Sequence, residues 1–297
     1  MLSKICVLMA TFNGEKYIEE QIRSILNQYG VNVTLYVSDD LSTDGTLSII
    51  RRFLPYGNVH LLGKQNKFGS AGRNFFSLIE RVDFDEFDFV AFADQDDIWN
   101  VDKLLVSALY LEQTEECVGV SSCVEAFWPD GRIFYVNKAV PQRNFDYFFE
   151  SSGPGCTYLL RSSFAAEFKS LLRSKPWIYT SVFFHDWLIY AYARKLNYYW
   201  HVLPFSTIKY RQHGNNETGV NTGFSAFRMR LKKLKSGWAL DQVFAVAKAV
   251  GYEDDLQVFF SGRGKANFKF YLNFREMRRK MSDALVLSVI FLLKIQR

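Results

Sequence analysis

An α/β fold, with a sheet of mainly parallel strands followed by a helical region, is the architecture this sequence predicts. Three observations carry that expectation. Apolar, β-branched runs alternate with stretches of helical periodicity through the first hundred residues. Each of three such runs stops abruptly in a polar, mostly acidic cluster. Beyond about Phe224 no strand pattern remains and the periodicity is helical.

The elements follow in order. The run KICVLMA (4–10) reads as a buried strand, and EKYIEEQIRSILNQ (15–28) places Ile18, Ile22 and Ile25 on one helical face. VTLYVSD (33–39) is a second strand, with a helix expected from Asp44 to about Phe53. NVHLLG (58–63), AGRNFFSLIERV (71–82) and FDFVAFAD (87–94) give strand, helix and strand. This βαβαβαβ order calls for parallel strands flanked by helices. In such sheets ligands sit beyond the carboxyl ends of the strands. TFNGE, SDDLSTDGT and DQDD therefore converge on one edge. The next hundred residues are less regular: VGVSSCVEAFWPDGRIFYV (118–136) reads as two strands around a Pro-Asp-Gly turn. GPGCTYLLRSSF (153–164), FFHDWLIYAYARKL (183–196) and STIKYRQHGNNETG (206–219) give a strand entering a helix, a helix opened by His185 and Asp186, and a last strand. A boundary near Gly219 to Phe224 divides the chain into a catalytic unit over 1–220 and a helical region over 221–297.

With 297 residues, 48% of them hydrophobic and 23% charged, the chain can bury a sizeable core and is not generally disordered. The aromatic share of 17% is high; it serves a core and also suits a surface that stacks on sugars or lies at an interface. A net charge of +5 is mild, but FRMRLKKLK (227–235) and REMRRK (275–280) concentrate the basic residues, as an anionic surface or a solvated helix face would have them. Cys6, Cys117, Cys123 and Cys156 form no metal-finger spacing and read as reduced core residues, which fits a cytoplasmic setting. The opening residues lack a signal-peptide pattern. The apolar stretch ALVLSVIFLLKI (284–295) is short of the roughly 20 residues a spanning helix needs, and could instead lie in an interface or dock as a core helix.

The acidic clusters carry the chemistry. SDDLSTDGT begins like a calcium loop, yet the position of the closing Glu falls on Arg51. The cluster can instead cap a helix, while Asp39 or Asp40 accepts hydrogen bonds from a nucleoside. In DQDD, Asp94 and Asp96 flank one residue, so on an extended strand end both would face one way and offer oxygens to Mg²⁺ or Mn²⁺. Asp97 would alternate away into a structural role. No Lys or Arg lies between Phe92 and Trp99 to neutralise this charge, which leaves a metal ion or open solvent. Asp186 is either a helix cap or a general base, and His213 either a loop residue or a third metal ligand. No GxGxxG follows the first strand and no GxxxxGK[ST] occurs, which disfavours a nicotinamide enzyme and excludes a P-loop NTPase.

As a set, ICVLMATFNGEKYIEEQIRSILNQ, VSDDLSTDGT, NKFGSAGRN and FADQDDIW resemble the family 2 inverting glycosyltransferases of the GT-A fold. GPGCTYLLRSSF, FHDWLIY and YRQHGNN look like that family's bacterial rhamnosyltransferase branch, which builds O-antigen and cell-wall polysaccharides. The likeness covers about residues 3 to 217 and implies a mixed, mostly parallel central sheet with a C-terminal helical extension. It implies that Thr11, Asn13, Glu15 and Asp40 hold the nucleoside and that Arg73 lies near the nucleotide. Asp94 and Asp96 would be the metal and diphosphate pair, with Asp96 the more direct ligand and Mn²⁺ or Mg²⁺ the cofactor. Gly155 would border the sugar and acceptor, Asp186 would be the base, and His213 a metal or diphosphate contact. The family often has Glu-Asp where this chain has His185-Asp186, a departure shared by the rhamnosyltransferase branch. The implied donor is dTDP-β-L-rhamnose, with a UDP-hexose or UDP-N-acetylhexosamine as the alternative. The implied acceptor is a lipid-linked saccharide met at the inner face of the plasma membrane, with no nucleic-acid partner and a homodimer left open. A DxD phosphohydrolase usually places its Asp pair at the first strand, and a polysaccharide-binding scaffold leaves three acidic clusters unexplained.

Overall fold

The computed structural model describes residues 2–63, 67–214, 237–252, 274–281, 283–285 and 287. Nine strands form one mixed sheet in the order β3-β2-β1-β4-β8-β6-β9-β5, with β7 paired to β6. Strands β1 (Lys4–Thr11), β2 (Asn32–Asp39), β3 (Val59–Leu61) and β4 (Phe89–Ala93) are mutually parallel. β6 (Cys117–Phe127) and β9 (Tyr199–Arg211) run parallel to each other, while β5 (Ile98–Trp99), β7 (Ile133–Val136) and β8 (Leu159–Arg161) are the antiparallel members. The mixed, mostly parallel sheet is the expected one.

Strand β1 shows why its sequence is apolar throughout. Side chains alternate across a sheet, and here both faces are covered by helices. Cys6 and Leu8 enter one core layer, and Ile5, Val7 and Met9 enter the other. The second layer takes Ile18, Ile22 and Ile25 of α1 (Ile18–Leu26), Ile50 of α2 (Thr46–Arg51), and Leu104, Ala108 and Leu111 of α4 (Lys103–Gln113). The first layer takes α3 (Ala71–Arg81), α5 (Ser162–Ser174) and α7 (His185–Lys195). A short α6 (Ile178–Ser181) precedes α7, and α8 (Trp238–Ala249) packs Val243, Val246 and Ala247 into that same layer. Helix α8 lies within the expected C-terminal helical region and shares the core of the sheet.

Several boundaries differ from expectation. Helix α1 starts at Ile18, because Gly14 accepts the amides of Tyr17 and Ile18 in a turn. Strand β9 begins at Tyr199, well before Ser206, because its first half pairs with β6. Helix α4, which follows DQDD, was not singled out in the sequence. The basic cluster over 275–280 divides, with Arg275 and Lys280 exposed while Arg278 and Arg279 turn toward buried or half-buried carboxylates. Arg279 is buried and pairs with Asp146 at 3.2 Å and Glu150 at 3.5 Å, and Arg278 reaches Glu150 at 3.7 Å. The cluster over 227–235, and 284–295 apart from residues 284, 285 and 287, lie outside the described residues. Among the described residues no helix is long and apolar enough to cross a membrane. Cys6, Cys117, Cys123 and Cys156 are all buried free thiols.

Candidate active site

The carboxyl ends of β1, β2 and β4 are held level by their registers, in which Thr11 faces Asp39 and Met9 faces Ala93. Beyond them lies a cavity of about 450 Å³ whose lining includes Thr11, Asp40, Asp94, Asp96, Gly155 and Asp186. Six of the expected site residues thus share one space. A second cavity of about 440 Å³ adjoins it and holds Asn13 and His213 with Lys16 and Tyr17. Phe12 and Gln95 line both.

The β1 and β2 ends form a hydrogen-bonded frame. Thr11 Oγ1 donates to Asp39 at 3.0 Å, and Asp39 also accepts from the backbone and hydroxyl of Ser42. Asp40 accepts the amides of Phe68 at 2.5 Å and Gly69 at 2.8 Å, which draws the segment before α3 over the cavity. Asn13 accepts from the Thr43 amide at 2.9 Å and Glu15 from the Gly45 amide at 2.8 Å, so both tie the β1 loop to the β2 loop. Glu15 lines neither cavity, nor does Arg73, whose guanidinium donates to the carbonyls of Phe68 and Thr180 at 3.4 Å each.

The acidic loop departs from the extended form expected of it. Strand β4 ends at Ala93, and the chain bends through Gln95 and Asp96, so Asp94 and Asp96 do not act as one strand face. Asp96 Oδ2 lies 2.7 Å from Nε2 of His213, whose ring stacks on Tyr17. Asp94 instead groups with Asp97 and Cys156, their ligand atoms all within 4.8 Å of one another. Asp97 is fully buried and accepts the Arg211 amide at 3.1 Å, which fixes the loop to β9. Its carboxyl also meets the Cys156 thiol. Burial, with the charges of Asp96 and Asp94, pushes its carboxyl well above the usual range. Arg211 of β9 and Lys103 of α4 approach the loop. Arg211 Nε donates to the Asp96 carbonyl at 2.8 Å. The fully buried Lys103 sits with its Nζ over Trp99, its pKa lowered to about 7 by burial against the opposing pull of Cys156 and Asp97. The donor atoms fall in two groups, Asp96 with His213 and Asp94 with Asp97 and the Cys156 thiol; carboxylate oxygens with one imidazole are the donor chemistry of a hard divalent cation such as Mn²⁺ or Mg²⁺.

Across the cavity, Asp186 occupies the first turn of α7, and its Oδ1 accepts the Trp187 amide at 2.7 Å. Burial raises its pKa from the usual 3.8 to about 6, while the Trp187 amide and the charge of Lys138 hold it from going higher. It therefore remains mostly ionised at neutral pH, although it is far from an ordinary aspartate. Gly155 is there because nothing larger fits: a Cβ would lie 2.6 Å from His185 Nε2 and 3.1 Å from Asp186 Cβ. His185, packed on Phe75 at 4.0 Å, is held neutral by burial, with its pKa lowered to about 3. Sequence reasoning left two contributors unassigned. Phe12, 42% exposed on the cavity rim with Lys67 over its ring, is visible in TFNGE only as an apolar residue among polar ones. Lys103 gives no signal in the sequence beyond a lysine in an apolar helix.

The sequence profile of glycosyl transferase family 2 matches residues 6–168, more than half of the chain. The chain is a family 2 glycosyltransferase. The dTDP-rhamnosyl transferase RfbG of Shigella flexneri is 40% identical over 97% of this glycosyltransferase and 100% of its own length. The UDP-Glc:alpha-D-GlcNAc-diphosphoundecaprenol beta-1,3-glucosyltransferase WfgD of Escherichia coli is 33% identical over 34% of this chain and 38% of its own. Among solved structures, S. aureus TarS 1–349 superposes with a TM-score of 0.56 at 17% identity, over 98% of this chain and 81% of that one. A mannosyltransferase from Pyrobaculum calidifontis, in complex with GDP-Man and Mn²⁺, gives 0.52 at 15% identity, over 100% and 88%. These neighbours give the glycosyltransferase its GT-A fold.

Proposed function

We propose that this family 2 glycosyltransferase moves L-rhamnose from dTDP-β-L-rhamnose to a hydroxyl of a lipid-linked saccharide, with inversion at the anomeric carbon. The observation that carries the mechanism is that Asp186, Asp94 and Asp96 line one cavity. The donor reading is supported by RfbG, whose name specifies a dTDP-rhamnosyl transferase and whose whole length matches this chain. A UDP-sugar donor would use the same residues.

The nucleoside end of the donor lies toward Thr11, Asp40 and the Phe12 ring, where an exposed aromatic face offers a base a stacking surface. Asp94 and Asp96, with His213, would hold Mn²⁺ or Mg²⁺, which when bound neutralises charge developing on the leaving diphosphate. The acceptor hydroxyl approaches Asp186 past Gly155, which lines the same cavity. Asp186 takes the hydroxyl proton as the oxygen attacks and the bond to the diphosphate breaks. Its raised pKa makes it a stronger base than an ordinary aspartate while leaving it mostly unprotonated at pH 7. The test is Asp186→Asn. Turnover of dTDP-rhamnose should fall by about 10²- to 10⁴-fold, with donor affinity in calorimetric titration close to wild type. Wild-type turnover in that variant would remove Asp186 from the role.

A further inference from the structure

The middle residue of the acidic loop has no place in the mechanism above, yet it makes the most specific contact in the site. Gln95 is half-buried, and its carboxamide closes a two-point clamp on the backbone of Phe12. The Phe12 amide donates to Gln95 Oε1 at 2.9 Å, and Gln95 Nε2 donates to the Phe12 carbonyl at 2.9 Å. A primary amide satisfies a residue's N–H and C=O in this way just as a neighbouring strand would, and of the common side chains only Gln and Asn offer that donor and acceptor together. The sheet itself leaves this place open, because the β1–β4 ladder stops at Met9 and Ala93. Two residues on, a Cβ at Gly14 would fall 2.3 Å from Gln95 Oε1 and 2.7 Å from its Cδ. The carboxamide therefore occupies the space that any side chain at position 14 would need.

We infer that Gln95 is a positioning residue that locks the Phe12–Gly14 loop to the Asp94–Asp97 loop. It sets the distance between the nucleoside end of the cavity and its diphosphate end, and walls the first cavity from the second. The inference rests on the reading of the first cavity as the donor site. Gln95 acts through Phe12 and touches neither the reacting atoms nor the proton taken by Asp186. Its loss should consequently weaken donor binding more than chemistry.

The test is a double-mutant cycle of Gln95→Ala and Gly14→Ala, read by melting temperature, by dTDP titration and by donor KM and kcat. Gln95→Ala should raise the donor KM and the dTDP Kd by about tenfold, with kcat changed less than KM. Gly14→Ala alone should lower the melting temperature and weaken dTDP binding, because its methyl displaces the carboxamide. The double variant should be no worse than Gln95→Ala alone, since removing the carboxamide removes the clash. Gln95→Glu keeps an acceptor for the Phe12 amide but offers no donor to the Phe12 carbonyl, and should fall near Gln95→Ala in KM. Two substitutions whose effects simply multiply would overturn the clamp. A Gln95→Ala enzyme with wild-type KM and Kd, or with kcat lowered as much as kcat/KM, would overturn the positioning role. Failure of the wild-type protein to bind dTDP or UDP with or without Mn²⁺ would instead overturn the donor-site reading, and the positioning role with it.

Discussion

Asp186 illustrates how a single residue can serve activity at the expense of stability. Its carboxyl titrates near 6 in the folded protein against 3.8 for the unconstrained group, and burial is the principal cause. A raised acid pKa means that ionisation opposes folding. The penalty is absent below about pH 3.8, grows through the window between 3.8 and 6, and is fully present above it. Asp186→Asn should thus stabilise the protein at pH 7 to 8 by about 3 kcal/mol, a gain that vanishes below about pH 4. Melting curves of the two proteins across that range measure it, and an unchanged difference at every pH would contradict it. The same titration predicts that wild-type kcat falls as pH drops through about 6, because the base becomes protonated. The pH–rate profile at saturating donor reads that limb directly. A sequence shows an Asp at a helix start and cannot show this pKa, because the burial that raises it, and the Lys138 charge and Gly155 backbone hydrogen bond that oppose it, are assembled from distant segments.

Among the elements, the segment over 274–279 shows how charge can serve packing. Its short 3₁₀ turn, Phe274–Glu276, precedes Arg279, which is buried against Asp146 and Glu150. Asp146 is itself fully buried and shared with Arg194 of α7 at 3.1 Å. The network therefore joins the C-terminal segment to the helix that carries Asp186. Breaking a buried pair on one side leaves the other charge unsolvated, so Arg279→Met should cost about 3 kcal/mol. Urea denaturation would show a lower midpoint, and an unchanged midpoint would mean that the pairs contribute nothing net. In the sequence this cluster is only a basic run, and its charge pattern is shared by a membrane-facing helix. Helix boundaries were similarly open: Ile18, Ile22 and Ile25 fix the face of α1, while the turn at Gly14 decides where the helix begins.

For the molecule as a whole, the remaining basic run over 227–235 is the feature that bears on membrane contact. If a lipid-linked acceptor is met at an anionic bilayer, replacing Arg228, Arg230, Lys232, Lys233 and Lys235 with Gln should release the protein from vesicles containing anionic lipid. Each such charge contributes about 1 kcal/mol near the surface. Equal co-sedimentation of the two proteins would remove this run from membrane binding. The alternation of apolar runs with helical periodicity determined the α/β class and the edge on which the site lies, because strand and helix periods are local properties of the chain. The motifs that carry the family resemblance marked Thr11, Asp40, Asp94, Asp96, Gly155 and Asp186, which the fold gathers at one cavity. Only the tertiary structure decided how the three aspartates of DQDD divide: Asp96 to His213, Asp97 to the Arg211 amide, and Asp94 to the cavity beside Cys156. It also supplied the partners that the loop lacks locally, the Arg211 guanidinium on the Asp96 carbonyl and the His213 imidazole on the Asp96 carboxyl. Electrostatic partners and burial depend on distance in space, and residues more than a hundred positions apart can be neighbours only once the sheet has formed.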